Sequence, residues 1–194
     1  DVLNGGDGTD TLNVDVKTAV TPQKLTSIET VNATFSGAVT LGLAQATDTT
    51  TVKSLSSTTA ATFSGLGSQV ANLAVENTAL GTTFTYASTS GTQAKNVAVN
   101  NVTGGTAGTI IVEGIETLTF TASGIASSYE VDSSASTLNF AGAANQTVVL
   151  DATNLSTSTY DASSATGNFT LTTIDQTSVA GATDVTVTGG AGND

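Results

Sequence analysis

Asp1-Val2-Leu3-Asn4-Gly5-Gly6-Asp7-Gly8-Thr9-Asp10-Thr11-Leu12-Asn13 opens the chain, and its reading decides the fold. From Gly5 onward it satisfies G-G-x-G-x-D-x-U-x, with U large and apolar, at every fixed position. That nonapeptide is a repeat of parallel β-helical stacks. Asp1–Asn4 fit the D-x-U-x end of a preceding copy. The last six residues, Gly189-Gly190-Ala191-Gly192-Asn193-Asp194, spell G-G-x-G-x-D and stop there. The expectation is a piece of a longer protein, interrupted part-way through a repeat at each end. Residues 14–188 carry no further copy, so the domain reading is 1–13 as repeats, 14–188 as a separate body, and 189–194 as the start of another repeat.

Within the body, apolar residues recur at every second position in short runs: Leu12-Val14-Val16, Val31-Ala33-Phe35, Val39-Leu41-Leu43, Ala61-Phe63, Leu73-Val75, Phe84-Tyr86, Val97-Val99, Ile110-Val112, Leu118-Phe120, Tyr129-Val131, Leu138-Phe140, Val148-Leu150, Phe169-Leu171 and Val185-Val187. Period-two alternation with Thr and Val between is the signature of strands. Gly, Ser, Asn and Asp fill the gaps. Only Leu41–Ala46 could form a helical turn, and Ser27-Ile28-Glu29 reads as a short turn before a strand. The chain is therefore all-β, which suits a sandwich, a barrel or a solenoid. Asn-Gly hairpin signals are missing from the body, the loops are small and polar, and only 5% of residues are aromatic. These features favour a parallel β-solenoid, a β-roll-like stack of short strands, over the β-sandwich alternative.

One short segment recurs. Ser27-Ile28-Glu29-Thr30-Val31 and Gly114-Ile115-Glu116-Thr117-Leu118 share an Ile-Glu-Thr core, each preceded and followed by a strand. If it marks a duplication, the body has two halves with a seam near 100–108, where Asn100-Asn101-Val102-Thr103-Gly104-Gly105-Thr106-Ala107-Gly108 is the most turn-like stretch. Ile28 and Ile115 are then expected to be buried in matching places.

Composition removes several functions. The chain has no His, Cys, Trp or Met, and its four basic residues are Lys17, Lys24, Lys53 and Lys95. Without His there is no usual general base; without Cys there is no thiol nucleophile, zinc site or disulfide; without Arg there is no bidentate anion clamp. A formal net charge of −12 repels nucleic acid and anionic membranes. No run is long and apolar enough for a membrane span. Glu29, Glu76, Glu113, Glu116 and Glu130 form no motif that nominates an acid–base pair, so no enzyme activity is expected.

The remaining chemistry is that of a hard cation. Calcium takes six to eight oxygens from carboxylates and backbone carbonyls. Glycine-rich turns let carbonyls converge where a Cβ would obstruct them. Asp1, Asp10 and Asp194 hold the motif's Asp position, and Asp7 adds a carboxylate or a carbonyl. The candidate ligands are thus Asp1 with Gly5, Gly6, Asp7, Gly8, Thr9 and Asp10, and Gly189, Gly190, Gly192, Asn193 and Asp194 at the other end. A calcium ion in such a stack sits between adjacent turns, so each end holds part of a shell. Asp132, Asp151, Asp161 and Asp175 read as turn-capping residues at strand ends, with further calcium sites the alternative. The Asn-X-Ser/Thr triplets at Asn32, Asn101, Asn145, Asn154 and Asn168 are chance matches in a Thr-rich chain.

Gly5–Leu12 running into a Leu-Asn-Val-Asp-Val strand, the two Ile-Glu-Thr segments, Tyr160-Asp161-Ala162-Ser163-Ser164-Ala165-Thr166-Gly167, and the closing Gly189–Asp194 together resemble the RTX-containing surface-layer proteins of Gram-negative bacteria, of the Caulobacter and Campylobacter type. The resemblance implies type I secretion, folding driven by extracellular Ca2+, location at the bacterial cell surface, and self-association of the parent protein into a lattice. Any contact with cell-surface polysaccharide would lie outside this segment, as would the family's anchoring region and secretion signal. An RTX adhesin or biofilm protein is the alternative parent.

Overall fold

A computed structural model describes residues 1–151, 157–173 and 186–194. Strands are numbered in chain order. The even-numbered strands from β2 to β18 form one nine-stranded sheet: β2 (Thr11–Val16), β4 (Thr30–Phe35), β6 (Thr51–Leu55), β8 (Asn72–Thr78), β10 (Ala94–Val102), β12 (Thr117–Ala122), β14 (Thr137–Gly142), β16 (Thr159–Ala165) and β18 (Thr186–Thr188). The odd-numbered strands from β5 to β17 form a seven-stranded sheet: β5 (Thr40–Gly42), β7 (Ala61–Leu66), β9 (Thr82–Tyr86), β11 (Gly105–Val112), β13 (Ser127–Asp132), β15 (Gln146–Leu150) and β17 (Phe169–Thr172). A short third face is made by β1 (Val2–Asn4) on β3 (Lys24–Thr26), extended by a bridge from Leu25 to Ala46.

Within both main sheets successive strands pair in parallel with the strand two ahead, so the chain winds as a β-solenoid with one strand of each main sheet per rung. Paired residues lie from 19 positions apart (Leu12 with Val31) to 28 (Thr82 with Ile110), one rung of chain. No helix occurs among the described residues; Leu43–Ala46 closes a single tight turn through Ala46 N–H to the Leu43 carbonyl.

Alternation places one set of side chains between the sheets and the other in solvent. Inside, Phe63 stacks on Phe84 with ring centres 5.2 Å apart, and Phe120 on Phe140 at 5.8 Å. Across the core, Phe35 meets Phe63 edge-on at 5.1 Å and Phe140 meets Phe169 at 4.7 Å. All six Phe and all three Tyr are buried, so the few aromatics are concentrated where burial stabilises most. Outside, Thr11, Thr30 and Thr51 align across three rungs, and Thr117, Thr137, Thr159 and Thr186 across four.

The inward set is fully covered only in the interior. Leu12, Val14, Val39 and Leu171 are half-buried, and Val187 is 56% exposed, although alternation marks them as core. The reason is position: Leu12, Val14 and Val187 lie on β2 and β18, Leu171 on β17 and Val39 directly before β5, the end strands of the two sheets, so their inward side chains are covered on one side only. Val185 and Asp175 lie outside the described residues. At 100–108 the chain turns from β10 to β11 within one rung, with Asn101 and Gly105 in left-handed conformations and a register shift between Gly105 and Thr109. Both strands pair with rungs on either side of that stretch.

Candidate metal centre

The Gly5–Asp10 turn sits on the corner where the chain passes from the third face into β2. Its glycines are set by space and by dihedral. A Cβ on Gly5 would overlap the Ser27 carbonyl oxygen of the following rung. Gly6 and Gly8 have φ of 94° and 115°, which side chains strain to adopt. Gly5 N–H donates to the Thr26 carbonyl at 3.0 Å, and Gly6 N–H to Asn4 Oδ1 at 3.1 Å. Asp7 and Thr9 are exposed, and Asp1 is exposed with its carbonyl accepting from Gln23 and Lys24 N–H.

Asp10 is tied to Glu29 in the next rung. Glu29 and Thr30 N–H both donate to the Asp10 carbonyl, while Asp10 N–H donates to Glu29 Oε2 at 2.7 Å. This leaves the Asp10 carboxylate with a buried oxygen, Oδ2, that meets no donor. A buried acceptor without a partner costs roughly 1–3 kcal/mol unless something positive occupies the space. Among the described residues no three acidic side chains converge, so carboxylates alone do not form a calcium shell. The turn does fit part of one: a spare carboxylate oxygen, plus a glycine-lined backbone free of Cβ atoms where carbonyls approach.

The Glu29 corner has a close counterpart. At Glu116, Gln93 N–H donates to Oε2 at 2.6 Å, and Thr117 N–H donates to the Gln93 carbonyl. Each Glu carbonyl then accepts two N–H groups of the following rung, from Thr50 and Thr51 at Glu29 and from Ser136 and Thr137 at Glu116. The residue before each Ile is left-handed, Ser27 at φ 51° and Gly114 at φ 74°. Its N–H is accepted from the following rung, by Asp48 Oδ2 in one case and Ser134 Oγ in the other. Ile28 and Ile115 are both buried. The two corners are not in one column, however. Through β6, β8 and β10 the register aligns Thr30 with Thr119 rather than Thr117, because β10 starts two residues earlier. The Ile-Glu-Thr match is therefore one local corner device used at two places.

The closing turn lies at the other corner, where an even-numbered strand gives way to an odd-numbered one. Asn193 N–H donates to Asn168 Oδ1 at 3.1 Å, and Asn168 N–H to Asn145 Oδ1 at 3.0 Å, so the motif extends an existing asparagine column. Ala191 N–H donates to the Ala165 carbonyl, and Gly190 and Gly192 lie where a Cβ would press on backbone of the rung below. Asp194 behaves unlike Asp10. Its Oδ1 accepts from Phe169 N–H at 3.2 Å and its Oδ2 from Gly190 N–H at 2.6 Å, so both oxygens cap backbone donors. A Cβ on Gly189 would come within 2.9 Å of Asp194 Oδ2.

Elsewhere, Asp161 lies inside β16 rather than at its end. It accepts from Ser163 N–H at 2.8 Å, where the pairing of β14 with β16 shifts register, and this bond lowers its pKa. Asp132 ends β13, and Asp151 follows β15 with its N–H on the Val131 carbonyl. Asn32, Asn101, Asn145 and Asn168 take part in inter-rung hydrogen bonds; Asn154 lies outside the described residues.

Sequence reading missed Lys95. It is 4% exposed, aligned with inward Leu118, donates to the Ser68 carbonyl at 2.7 Å, and lies 4.8 Å from the centre of the Tyr86 ring. Burial lowers its pKa, and burial raises that of Tyr86. The signal was available: Lys95 precedes Val97 and Val99 by the strand period. Comparison with known protein families, curated proteins and solved structures gave no match.

Proposed function

We propose that the chain is a structural, non-catalytic module of a secreted, calcium-dependent bacterial surface-layer protein whose copies assemble into a cell-surface lattice. The observation carrying this reading is that the two turns matching G-G-x-G-x-D stack as rungs on a parallel solenoid. The Gly5–Asp10 turn hydrogen-bonds to Thr26 and Glu29, and the Gly189–Asp194 turn to Ala165, Asn168 and Phe169. A calcium turn and the solenoid body then form one continuous parallel stack, and ion binding at the turn stabilises the rungs bonded to it. The unpaired Asp10 Oδ2 supplies a carboxylate oxygen for the ion. Sixteen acidic groups against four lysines make the folded chain self-repelling, which a divalent cation offsets. Composition supports the absence of catalysis, since His, Cys and Arg are all lacking.

Calcium that binds only the folded chain links folding to the calcium-rich exterior of the cell. The test is electron microscopy of the parent protein in millimolar calcium and in chelator. Two-dimensional sheets in calcium and none in chelator are expected. Dispersed particles in both conditions, with equal melting temperatures, would overturn the reading.

A further inference from the structure

We infer that Glu29 is a positioning residue for calcium at the Gly5–Asp10 turn, its carboxylate holding the Asp10 backbone so that Asp10 Oδ2 stays buried and without a protein donor. The inference rests on the calcium reading above and adds to it a residue outside the repeat motif. Three observations carry it. The Glu29–Asp10 bond is short, 2.7 Å, and joins a carboxylate to a backbone N–H, a class about twice as strong as neutral hydrogen bonds. It acts on the same residue whose carboxylate has the unpaired buried oxygen. It belongs to a corner device whose second copy, at Glu116, grips Gln93, a residue of no glycine-rich turn.

That second copy separates positioning from mere support. Glu29 and Glu116 each accept one backbone N–H of the preceding rung and pass two bonds to the following one. Loss of either carboxylate removes the same kind of strut. Only loss of Glu29 frees a residue that carries a candidate calcium ligand. Groups that orient a metal ligand without touching the metal commonly cost about 10–100-fold in metal affinity when removed.

The experiment is calorimetric titration of calcium into the chelator-stripped full chain, with melting curves in calcium and in chelator. Glu29→Ala should weaken calcium binding about 10–100-fold. Glu116→Ala should lower the melting temperature alike in both conditions and leave the calcium constant unchanged. Glu29→Gln keeps size and an acceptor oxygen without the charge, so an intermediate loss is expected, and it carries the test if the alanine variant does not fold. Unchanged calcium affinity in the Glu29 variants, or equal weakening by Glu29→Ala and Glu116→Ala, would overturn the inference. If the unsubstituted chain takes up no calcium, the calcium reading itself fails and this inference with it.

Discussion

The two glycine-rich turns share the G-G-x-G-x-D pattern and differ in what their aspartates do. Asp10 is held through its backbone, by Glu29, and keeps a carboxylate oxygen in reserve; Asp194 spends both oxygens on Phe169 and Gly190 N–H. The motif is the same, but the stacking neighbour differs. On the rung after Asp10 lies a glutamate long enough to reach back and take its N–H. On the rung before the closing turn lies Asn168, which takes Asn193 N–H and leaves Asp194 to satisfy the donors nearby. A repeat motif thus fixes where a carboxylate goes, and its stacking neighbour decides whether that carboxylate remains available.

The contrast can be tested from the largest effect to the smallest. An interior substitution sets the scale: Phe120→Ala removes a fully buried ring between Phe140 and Tyr129 and should cost about 3–5 kcal/mol in denaturant titration, with or without calcium. At the opening turn, calcium at a hundredfold excess over its dissociation constant should add about 2.7 kcal/mol, and Asp10→Ala should abolish that gain while raising the chelator melt, because it removes a buried oxygen that has no donor. A calcium gain that survives Asp10→Ala but vanishes in Asp194→Ala would reverse the assignment of the two turns. Gly5→Ala forces a Cβ onto the Ser27 carbonyl and should cost about 1–3 kcal/mol in thermal melts. Asp194→Ala should cost about 1 kcal/mol, equally in calcium and in chelator, because it removes only backbone caps.

The smallest effect is one of pH. Asp161 caps Ser163 N–H as Asp194 caps Gly190, and its pKa is lowered by that bond. A carboxyl depressed in the folded state contributes stability above its unfolded pKa, about 3.9, and loses it as pH falls through the folded value. Melting temperature should therefore fall less steeply below about pH 4 in Asp161→Asn than in the unsubstituted chain. Identical acid limbs would show that this cap carries no charge-dependent stability.

Much of the fold was legible because its signals are local. Leu118-Phe120 and Leu138-Phe140 announce strands by alternation, and scarce hairpin turns distinguish stacked rungs from paired hairpins. The Ile-Glu-Thr match was legible as a recurrence. Its two-residue offset was not, since that depends on where β10 begins relative to β8. The exposure of Val187 was hidden for a similar reason: alternation names a face, while burial requires a neighbouring rung.

By itself, the sequence determined that this chain is β-rich, acidic and poor in catalytic groups, because periodicity, charge and composition belong to residues one at a time or in short runs. It also determined where the glycine turns lie. Only the tertiary structure decided that Asp10 rests on Glu29, Asn193 on Asn168 and Asp194 on Phe169, and that Lys95 enters the core beside Tyr86. The contacts of Asp10, Asn193 and Asp194 join residues one rung apart, that of Lys95 joins successive strands, and rung length here varies from 19 to 28 positions with each corner. A single extra residue at a corner changes which side chains meet across it, while the alternation within each strand stays the same.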